Sequence, residues 1–300
     1  MLGSQRPFTP SMTRTVVRAA CQEIGLPSED LTFMRLGQNL LYHLPASGIV
    51  VRVARGPSYE SEACKEVAVA KWLGEHGFPA AKIFDIGRPQ PIAVSGCPIT
   101  FWHYISGRPA TADEAGVVGD LLRRLHRLPA PDDIDLPEFR PFDRIHDRLS
   151  TAPISDSDKG FLAEREGALR AEVASLDYNL PCGVNHGDAH IMNVMISSDG
   201  DAQFIDFEAF NIAPHDWDLA KTATEADMGM LPGRSYSEFA RAYGYDVTRW
   251  RGFDVLRSVM QLRMTTWLAQ NVDHSEGVAR EYEKRIRTLR FGFTESWSGF

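Results

Sequence analysis

The feature that most constrains the fold is a pair of apolar runs on either side of an Asp-Gly dipeptide. The runs are VMIS at residues 194–197 and AQFIDF at residues 202–207, and Asp-Gly between such runs is typical of a β-hairpin. With the turn centred on this dipeptide, the numbers of paired residues sum to 399, whereas a three-residue loop with a bulge would shift the register. The sequence therefore predicts that Asn193 and Asp206 face each other, with Cβ atoms about 4.5–5.5 Å apart.

A polar segment, VNHGDAHIMN at residues 184–193, leads into this hairpin. Polar groups next to apolar runs need partners or a chemical role, because burying them unpaired costs free energy. The amide oxygen of Asn193 beside the carboxylate of Asp206 would form a hard-oxygen site, which suits Mg²⁺. Asp188 lies five residues before Asn193. We therefore expect its carboxylate to face the metal without binding it, where a group that receives a hydroxyl proton would lie.

The remaining pattern divides the chain into a strand-rich first part and a helix-rich second part. Extended runs at residues 31–36, 40–44 and 49–55, separated by turn residues, are typical of an antiparallel meander, and two more strand candidates follow at residues 81–87 and 97–105. Helical periodicity occurs at residues 11–25, 59–76, 157–176, 235–243, 248–270 and 276–291. Thr111 and Glu114 form a capping box that opens a further helix. We therefore predict one lobe over residues 1–105 and a helical lobe over residues 106–300, in which the hairpin is the one clear β element.

Composition excludes several classes of protein. No apolar run reaches about 18 residues, and the first residues do not resemble a signal peptide, so we expect no membrane span and no membrane partner. The four cysteines are widely spaced, which is typical of a reduced cytoplasmic protein. Lys and Arg number 10 against 8 Asp and Glu in residues 1–105, and 22 against 32 in residues 106–300. The acidic second part argues against a nucleic-acid partner and is compatible with a cationic small molecule, bound by a monomer or a homodimer.

Two motifs give the chain a family resemblance. HGDAHIMN (residues 186–193) resembles the kinase catalytic loop H-R-D-x-x-x-x-N, with Gly in place of Arg, and IDFE (residues 205–208) resembles the D-F-G element, with Glu in place of Gly. The H-G-D variant is similar to that of the aminoglycoside phosphotransferase and choline kinase families of small-molecule kinases, over about residues 30–290. The resemblance implies an α+β, two-lobed, protein-kinase-like fold. Its N-terminal lobe would be an antiparallel β-sheet with one main helix, and its C-terminal lobe would be mainly helical and would carry the catalytic hairpin.

The resemblance also implies a reaction and roles for individual residues. Asp188 is the catalytic base or the group that orients the acceptor hydroxyl, and Asn193 and Asp206 hold Mg²⁺. His186 and Asp218 brace the catalytic loop. The implied reaction is transfer of the γ-phosphoryl group of ATP, with GTP left open, to a hydroxyl group of a small molecule.

Residues of the first lobe match nucleotide-binding positions of these families. Arg52, central in the run IVVRVAR, stands where kinases place the lysine of V-A-I-K, and a charge flanked by apolar neighbours needs an anionic partner. Glu66 is the expected helix partner of Arg52, with Glu62 one turn earlier as the competitor. Gly37 and Asn39 lie in the expected nucleotide-covering turn, which has only one glycine. A segment similar to the adenine-binding hinge consists of Phe101, Trp102, His103 and Tyr104.

The acceptor is less constrained by the sequence. Glu208, Glu225 and Asp227 are the expected acceptor contacts on the helical lobe, because of their charge and their proximity to the catalytic loop in sequence. A cationic antibiotic such as an aminoglycoside is the first candidate, which would make the protein an antibiotic-resistance enzyme. An amino sugar, a choline-like alcohol or another metabolite is the alternative, since one fold serves many acceptors.

Two interpretations from other classes compete with a kinase. A catalytically inactive nucleotide-binding module would explain the Arg in place of Lys and the single glycine of the turn, although the acidic and amide residues of both motifs are present. A zinc hydrolase would use His186 and His190, which are four residues apart. A zincin requires H-E-x-x-H on an intact helix, however, and Gly187 replaces the essential Glu.

Overall fold

A computed structural model of the protein describes residues 8–37, 39–293 and 295–299. Backbone contacts divide the chain into two compact units that alternate along the sequence. Unit 1 contains the described residues of Met1–Pro109, with Pro131–Leu136 and Val194–Phe210. Unit 2 contains the described residues of Ala110–Ala130, Pro137–Asn193 and Asn211–Phe300. The division into lobes at residues 105 and 106 stays a prediction, and the hairpin packs with unit 1 although 78 residues of unit 2 precede it in the chain.

The strands are Thr32–Leu36 (β1), Leu40–Leu44 (β2), Ile49–Val53 (β3), Ile92–Val94 (β4), Cys97–His103 (β5), Gly107–Pro109 (β6), Cys182–Asn185 (β7), Val194–Ser197 (β8), Ala202–Phe204 (β9) and Asn211–Pro214 (β10). The α-helices are Pro10–Glu23 (α1), Glu60–Glu75 (α2), Ala115–Leu125 (α3), Ile145–Thr151 (α4), Asp156–Ala174 (α5), Asp216–Asp227 (α6), Gly233–Tyr243 (α7), Phe253–Ala269 (α8) and Glu276–Phe291 (α9). Within the part of the chain that is described, no helix combines the length and the apolar character that crossing a bilayer requires.

Unit 1 is built on a five-stranded antiparallel sheet with the order β1-β2-β3-β5-β4. In β2 and β3 every second side chain is buried, so one face of the sheet is apolar and packs against α1. Leu40, Tyr42 and Phe101 belong to this core, and the burial of each such side chain contributes about 1.5–3 kcal/mol. Thr13 on α1 joins the Tyr42 hydroxyl in a hydrogen bond of 2.7 Å. Arg52 alternates with these residues and therefore projects from the other face, where α2 lies.

The predicted fold class, an antiparallel sheet followed by mainly helical structure, is confirmed. The capping box is also confirmed, because Glu114 Oε2 accepts a hydrogen bond from the Thr111 N–H at 2.8 Å. The predicted strand at residues 81–87 is wrong. This segment meets β5 only at an isolated bridge of Ile83, and Gly87, with a φ of +71°, turns the chain before β4 runs alongside β5.

The hairpin of β8 and β9 has a different register from the predicted one. Val194 pairs with Phe204, so the numbers of paired residues sum to 398 and not to 399. The reason is a three-residue loop, in which Gly200 has a φ of +90° and the Ser197 N–H donates to the Asp201 carbonyl at 2.8 Å. The ladder ends at Val194 and Phe204, so the predicted pairing of residues 193 and 206 is wrong.

Unit 2 is mainly helical, with α8 in contact with α4, α5, α6 and α9. Helix α3 packs closely on α7 because residue 119 is glycine: a Cβ on Gly119 would lie 2.3 Å from the main-chain oxygen of Phe239. The prediction that the hairpin is the one β element after residue 106 is wrong, since β7 and β10 form an antiparallel pair with Val184 opposite Ile212. Strand β7 ends at Asn185, so the polar segment begins with the last two residues of this strand.

Candidate active site

The part of the polar segment that follows β7 is held in place by a buried carboxylate of α6. Asp218 is fully buried and accepts hydrogen bonds from the main-chain N–H groups of His186 and Gly187, both at 2.7 Å. Gly187 has a φ of +83°, a conformation that side chains with a Cβ rarely adopt. Bonds from two amides to one carboxylate are charge-assisted and fix the start of the loop. These are the contacts that a loop-bracing residue makes.

Behind Asp218 lies a group of side chains that the sequence did not single out. His126 directly follows α3 as its C-cap residue, with Nε2 3.2 Å from Asp218 Oδ2 and Nδ1 2.8 Å from the Tyr243 hydroxyl. The rings of His126 and His215 stack with their centroids 3.8 Å apart. Burial, and then the neighbouring His126, lowers the pKa of His215 to about 4, so its ring is neutral near pH 7. No motif spacing links these residues, so only the fold reveals them.

Asp188 lies in this loop with its carboxylate between two basic side chains. Lys221 Nζ on α6 is 3.0 Å from Asp188 Oδ1, and His190 Nε2 is 3.5 Å from Oδ2. Partial burial raises the pKa of Asp188, but Lys221 and His190 outweigh it and hold the pKa well below its usual range. The side chain of Asp188 is 46% exposed. This ionised carboxylate is therefore accessible to a ligand.

Two neighbours of Asp188 extend this arrangement. Asn193 Nδ2 donates to the Asp188 carbonyl at 2.9 Å, which leaves Asn193 Oδ1 as the atom suited to a metal. Lys221 also contacts Glu225, with 3.7 Å between Nζ and Oε1. Sequence reasoning missed Lys221, although Asp218, Lys221 and Glu225 are three and four residues apart and so share one face of α6. That spacing is the signal that could have found it.

In unit 1, Arg52 is the centre of a charged cluster. Its guanidinium forms an ion pair with Glu66 on α2, the partner expected from the sequence, and lies 3.3 Å from Glu208 Oε2 and 3.7 Å from Asp206 Oδ1. With its amide oxygen facing the guanidinium, Asn39 accepts a hydrogen bond from Arg52 Nε at 2.9 Å. The Arg52 side chain is only 15% exposed. Three carboxylates thus surround one largely buried positive charge.

The surplus of negative charge in this cluster fits a divalent cation. Burial, opposed by Arg52 and reinforced by Asp206 and Glu208, raises the pKa of Glu66 to about 8. Asp206 Oδ1 is buried and has no hydrogen-bond partner. Asp206 also has a φ of +67°, and such strained backbone in a residue other than glycine is concentrated at functional sites. A buried, unsatisfied carboxylate oxygen among like charges is an appropriate ligand for Mg²⁺.

The protein ligands for such a cation are few. Among the residues that the structure describes, no group of three or more His, Cys, Asp or Glu is arranged to hold a metal ion. Mg²⁺ is usually bound through about one or two carboxylates, with water and substrate phosphates completing its shell. Asp206 in unit 1 and Asn193 in unit 2 each have an oxygen of the type that Mg²⁺ takes in this mode of binding, and their joint role as ligands stays a prediction.

The predicted hinge segment is largely used in the packing of unit 1. Phe101 lies in the apolar core, and its N–H donates to a glutamine side chain at 2.7 Å. The N–H groups of His103 and Tyr104 donate to main-chain oxygens of unit 1 at 2.9 and 2.8 Å, and Trp102 is buried. The N–H groups of residues 101, 103 and 104 are therefore engaged and not free to bind adenine. Ile105 is the first residue beyond them in the chain.

The predicted nucleotide-covering turn is closed by its own backbone. The Gly37 N–H donates to the Asn39 carbonyl at 3.0 Å, and Arg55 donates to the Gly37 carbonyl at 3.2 Å. Gln38, between them, lies outside the described residues. The side chain of Asn39 is turned toward Arg52, so this turn contributes to the charged cluster.

The three acidic residues expected to contact the acceptor do not form one group. Glu208 lies in unit 1, so its predicted place on the helical lobe is wrong: residues 194–210 pack with the sheet. All three have a basic partner. The pairs are Glu208 with Arg52 at 3.3 Å, Glu225 with Lys221 at 3.7 Å and Asp227 with Arg257 at 3.2 Å. This pairing weakens the expectation that these carboxylates attract a cationic acceptor.

Comparison with protein families agrees with this geometry. The model of the phosphotransferase enzyme family matches residues 38–253, more than two thirds of the chain. The chain belongs to the phosphotransferase enzyme family. Membership confirms the resemblance seen in the two motifs, and it confirms the prediction that the protein is an enzyme of the small-molecule kinase kind.

Solved structures with this fold include kinases of several small molecules. The amicoumacin kinase hAmiN, in complex with AMP-PNP, Ca²⁺ and Ami, is 14% identical over 97% of this chain and 98% of that chain, with a TM-score of 0.76. The microcompartment-associated aminopropanol kinase is 14% identical over 93% of this chain and 99% of that chain, with a TM-score of 0.73. The choline kinase LicA from Streptococcus pneumoniae is 16% identical over 93% and 99%, with a TM-score of 0.64. At these identities the likeness establishes the fold alone.

Proposed function

We propose that the protein is an ATP- and Mg²⁺-dependent phosphotransferase that moves the γ-phosphoryl group to a hydroxyl group of a small molecule. The observation that carries this proposal is the accessible, ionised carboxylate of Asp188 in a loop whose start Asp218 holds at two amides. Phosphoryl transfer requires positioned charge more than covalent chemistry from the protein. Family membership supports the reaction, and AMP-PNP in the amicoumacin kinase structure supports ATP as the donor, with GTP left open.

Unit 1 supplies the groups for the nucleotide and one of the two predicted metal ligands. Arg52, held in place by Glu66 and Asn39, presents a planar fork that can pair with phosphate oxygens. Asp206 of unit 1 would hold Mg²⁺, and Asn193, the other predicted ligand, comes from unit 2. When bound, Mg²⁺ would offset the charge that develops on the phosphoryl oxygens. Glu208, next to Arg52, keeps the guanidinium oriented toward this region.

Unit 2 supplies the group that aligns the acceptor. The acceptor hydroxyl donates a hydrogen bond to Asp188, and its oxygen forms a bond to the γ-phosphorus while the bond to the β–γ bridging oxygen breaks and ADP leaves. A carboxylate with a pKa this low is a weak base. Asp188 therefore orients the hydroxyl first and receives the proton late, after bond formation has made the hydroxyl strongly acidic.

The acceptor is a hydroxylated small molecule. The structural neighbours include kinases named for amicoumacin, aminopropanol and choline. A cationic antibiotic such as an aminoglycoside is the first candidate, with an amino sugar, a choline-like alcohol or another metabolite as the alternative. We place the reaction in the cytoplasm, where ATP is abundant and the four free cysteines would stay reduced.

The proposal is tested by measuring ADP release with Mg²⁺ and ATP across a panel of antibiotics, amino sugars and alcohols. We expect at least one acceptor to stimulate ADP release, and we expect Asp188→Asn to lower that rate about 10²–10⁴-fold. Asp177→Asn, at an exposed aspartate of unit 2, is the matched control and should change the rate little. Turnover that does not depend on Asp188 with any acceptor would favour the inactive nucleotide-binding module instead.

Expression in a susceptible host tests separately whether the acceptor is an antibiotic. Protection that is lost in Asp188→Asn would identify the protein as a resistance enzyme. No protection across the panel, together with ADP release on a metabolite, would reject the antibiotic acceptor and keep the phosphotransferase.

A further inference from the structure

A lysine of α6 lies between the catalytic carboxylate and an acidic residue that the sequence assigned to the acceptor. Lys221 Nζ is 3.0 Å from Asp188 Oδ1 and 3.7 Å from Glu225 Oε1, and the lysine side chain is 14% exposed. Burial lowers the pKa of Lys221, but Asp188 and Glu225 outweigh it and raise the pKa above its usual value. The ammonium group is therefore charged, and it cancels much of the negative charge at the acceptor position.

Other acidic groups of this region have basic neighbours as well. Asp227 Oδ2 is 3.2 Å from Arg257. Arg263 adds a second positive charge that is electrostatically coupled to Asp188, and its guanidinium lies over the Trp217 ring, 5.4 Å from the centroid. The surroundings of the catalytic carboxylate are therefore nearly neutral and do not attract a cation strongly.

We propose that Lys221 makes the acceptor position selective against alcohols that carry an ammonium group two carbons from the reacting hydroxyl. The position instead favours hydroxyl groups whose neighbours are uncharged, as in sugar-like or polyhydroxylated compounds. This inference rests on the proposed function, because it takes Asp188 as the group that aligns the hydroxyl. It narrows the acceptor class, because a cationic compound fits only when its charge lies farther from the reacting hydroxyl.

The geometry gives the reason. Lys221 Nζ is 3.0 Å from Oδ1 of Asp188, whereas His190 Nε2 is 3.5 Å from Oδ2. An acceptor hydroxyl therefore approaches Oδ2, the more weakly engaged oxygen, and would lie about 2.6–3.2 Å from it. An ammonium group two carbons further on then lies roughly 5 Å from Lys221 Nζ. At that distance the repulsion by Lys221 offsets the attraction of Asp188 and Glu225 for the ammonium group, and this offset amounts to about 10–100-fold in affinity. A hydroxyl or methyl group in the same place is not repelled.

The experiment compares alcohols of matched shape and different charge. Choline is paired with its uncharged isostere 3,3-dimethyl-1-butanol, and 1-amino-2-propanol is paired with 1,2-propanediol. Binding to the complex with Mg²⁺ and a non-hydrolysable ATP analogue is measured by ligand-detected NMR, and phosphorylation is measured by ADP release. We expect the wild type to favour the uncharged member of each pair, and Lys221→Met to shift the preference about 10–100-fold toward the ammonium compound.

Two further variants separate charge from structure. Lys221→Arg keeps the positive charge and should keep the wild-type preference. Lys71→Met removes an exposed positive charge from α2 and should leave the preference unchanged. Thermal unfolding and Mg·ATP affinity of each variant show whether it is folded.

Two results would overturn the inference. One is a wild-type preference for the ammonium member of the pairs. The other is an unchanged preference in Lys221→Met, including the case in which no ammonium compound binds this variant. Failure of every acceptor to release ADP would instead contradict the proposed function, and the binding preferences would still decide the role of Lys221.

Discussion

Arg52 in unit 1 and Lys221 in unit 2 are both basic residues among carboxylates, but the balance of charge around them differs. Arg52 faces three carboxylates, and one of them, Asp206, has a buried oxygen without a hydrogen-bond partner. Lys221 faces two carboxylates, and the accessible one, Asp188, has a second basic neighbour in His190. Unit 1 therefore has a surplus of negative charge, whereas the charges around Asp188 are nearly balanced.

From this difference we expect the two regions to serve different steps of the reaction: unit 1 the binding of metal and nucleotide, and unit 2 the alignment of the acceptor. A surplus of negative charge attracts a divalent cation, and the cation then attracts phosphates. A balanced set keeps a carboxylate ionised for hydrogen bonding without attracting a cation. Substitutions in the two clusters should therefore affect different steps of the reaction.

The largest effect is expected from Asp206→Asn, which changes the surplus of negative charge in unit 1. Replacing the carboxylate by an amide removes the negative ligand of the proposed Mg²⁺ site, so ATP affinity in the presence of Mg²⁺ should fall about 100-fold. Calorimetry with and without Mg²⁺ measures this effect, and Asp199→Asn in the exposed turn of the same hairpin is the matched control. ATP binding by Asp206→Asn that still depends fully on Mg²⁺ would show that the metal binds elsewhere.

A second large effect is expected from Arg52→Met. The substitution leaves Glu66 buried without its hydrogen-bond partner, so the free energy of unfolding should fall by about 1–3 kcal/mol, and ATP affinity should fall as well. Urea unfolding and calorimetry measure the two effects. The double variant Arg52→Met/Glu66→Gln should recover stability but not ATP affinity. Recovery of both would mean that Arg52 has only a structural role.

A smaller effect on the reaction is expected from Asp218→Asn in unit 2. The amide keeps one acceptor oxygen but turns an NH₂ group toward a donor, which leaves one loop N–H unsatisfied and lowers stability by about 1–3 kcal/mol. We expect kcat to fall about tenfold through displacement of Asp188, with the KM for ATP unchanged. Steady-state kinetics measure this split, and a raised KM for ATP with a normal kcat would contradict it.

The smallest effects on the reaction are expected from pH, which changes stability with opposite signs in the two units. The pKa of His215 in unit 2 is lowered to about 4. Its contribution to the free energy of unfolding is present above the unfolded pKa of about 6.5 and is lost as pH falls through about 4, up to about 3 kcal/mol. His215→Phe keeps a ring against His126 and should remove this dependence in acid unfolding curves. A slope that is unchanged in His215→Phe would assign it to other groups.

In unit 1 the dependence should run the other way. The pKa of Glu66 is raised to about 8, so its contribution to stability is present below the unfolded pKa of about 4.5 and is lost as pH rises through about 8. Hydrogen exchange of α2 between pH 5 and pH 8 measures this loss, and Glu66→Gln should abolish it. Exchange in α2 that is independent of pH in the wild type would contradict the raised pKa.

The local chemistry could be predicted from the sequence because short motifs fix it. The segment HGDAHIMN and the segment IDFE are each recognised from residues that are close together in the sequence. The Arg52–Glu66 pair joins a strand to the next helix, only 14 residues further along the chain. The capping box at Thr111 and most helices of unit 2 were predictable for the same reason. Helix α6 is not predicted from the sequence, because polar and apolar side chains are buried alike in it and no exposed polar face sets off an apolar stripe.

The sequence could not predict the register of strand pairing or the contacts between segments that are far apart in the chain. The hairpin register moved by one residue because Gly200 forms a three-residue loop in place of the expected turn. The sequence assigns Glu208 to the helical lobe, because no feature of the neighbouring sequence shows that residues 194–210 pack with the sheet of unit 1. His126 and Tyr243, which lie behind Asp218, are separated by 117 residues. Only the packing of α3 on α7 brings such residues together.

The measurement that tests most directly whether the two regions serve different steps is the Kd of Mg·ATP for Asp188→Asn, determined together with acceptor-dependent ADP release. We predict a Kd within about twofold of the wild-type value and loss of nearly all turnover, because Asp188 acts on the hydroxyl and not on the nucleotide. A Kd that rises in parallel with the loss of turnover, or turnover that persists, would contradict the role of Asp188 and with it the assignment of acceptor chemistry to unit 2.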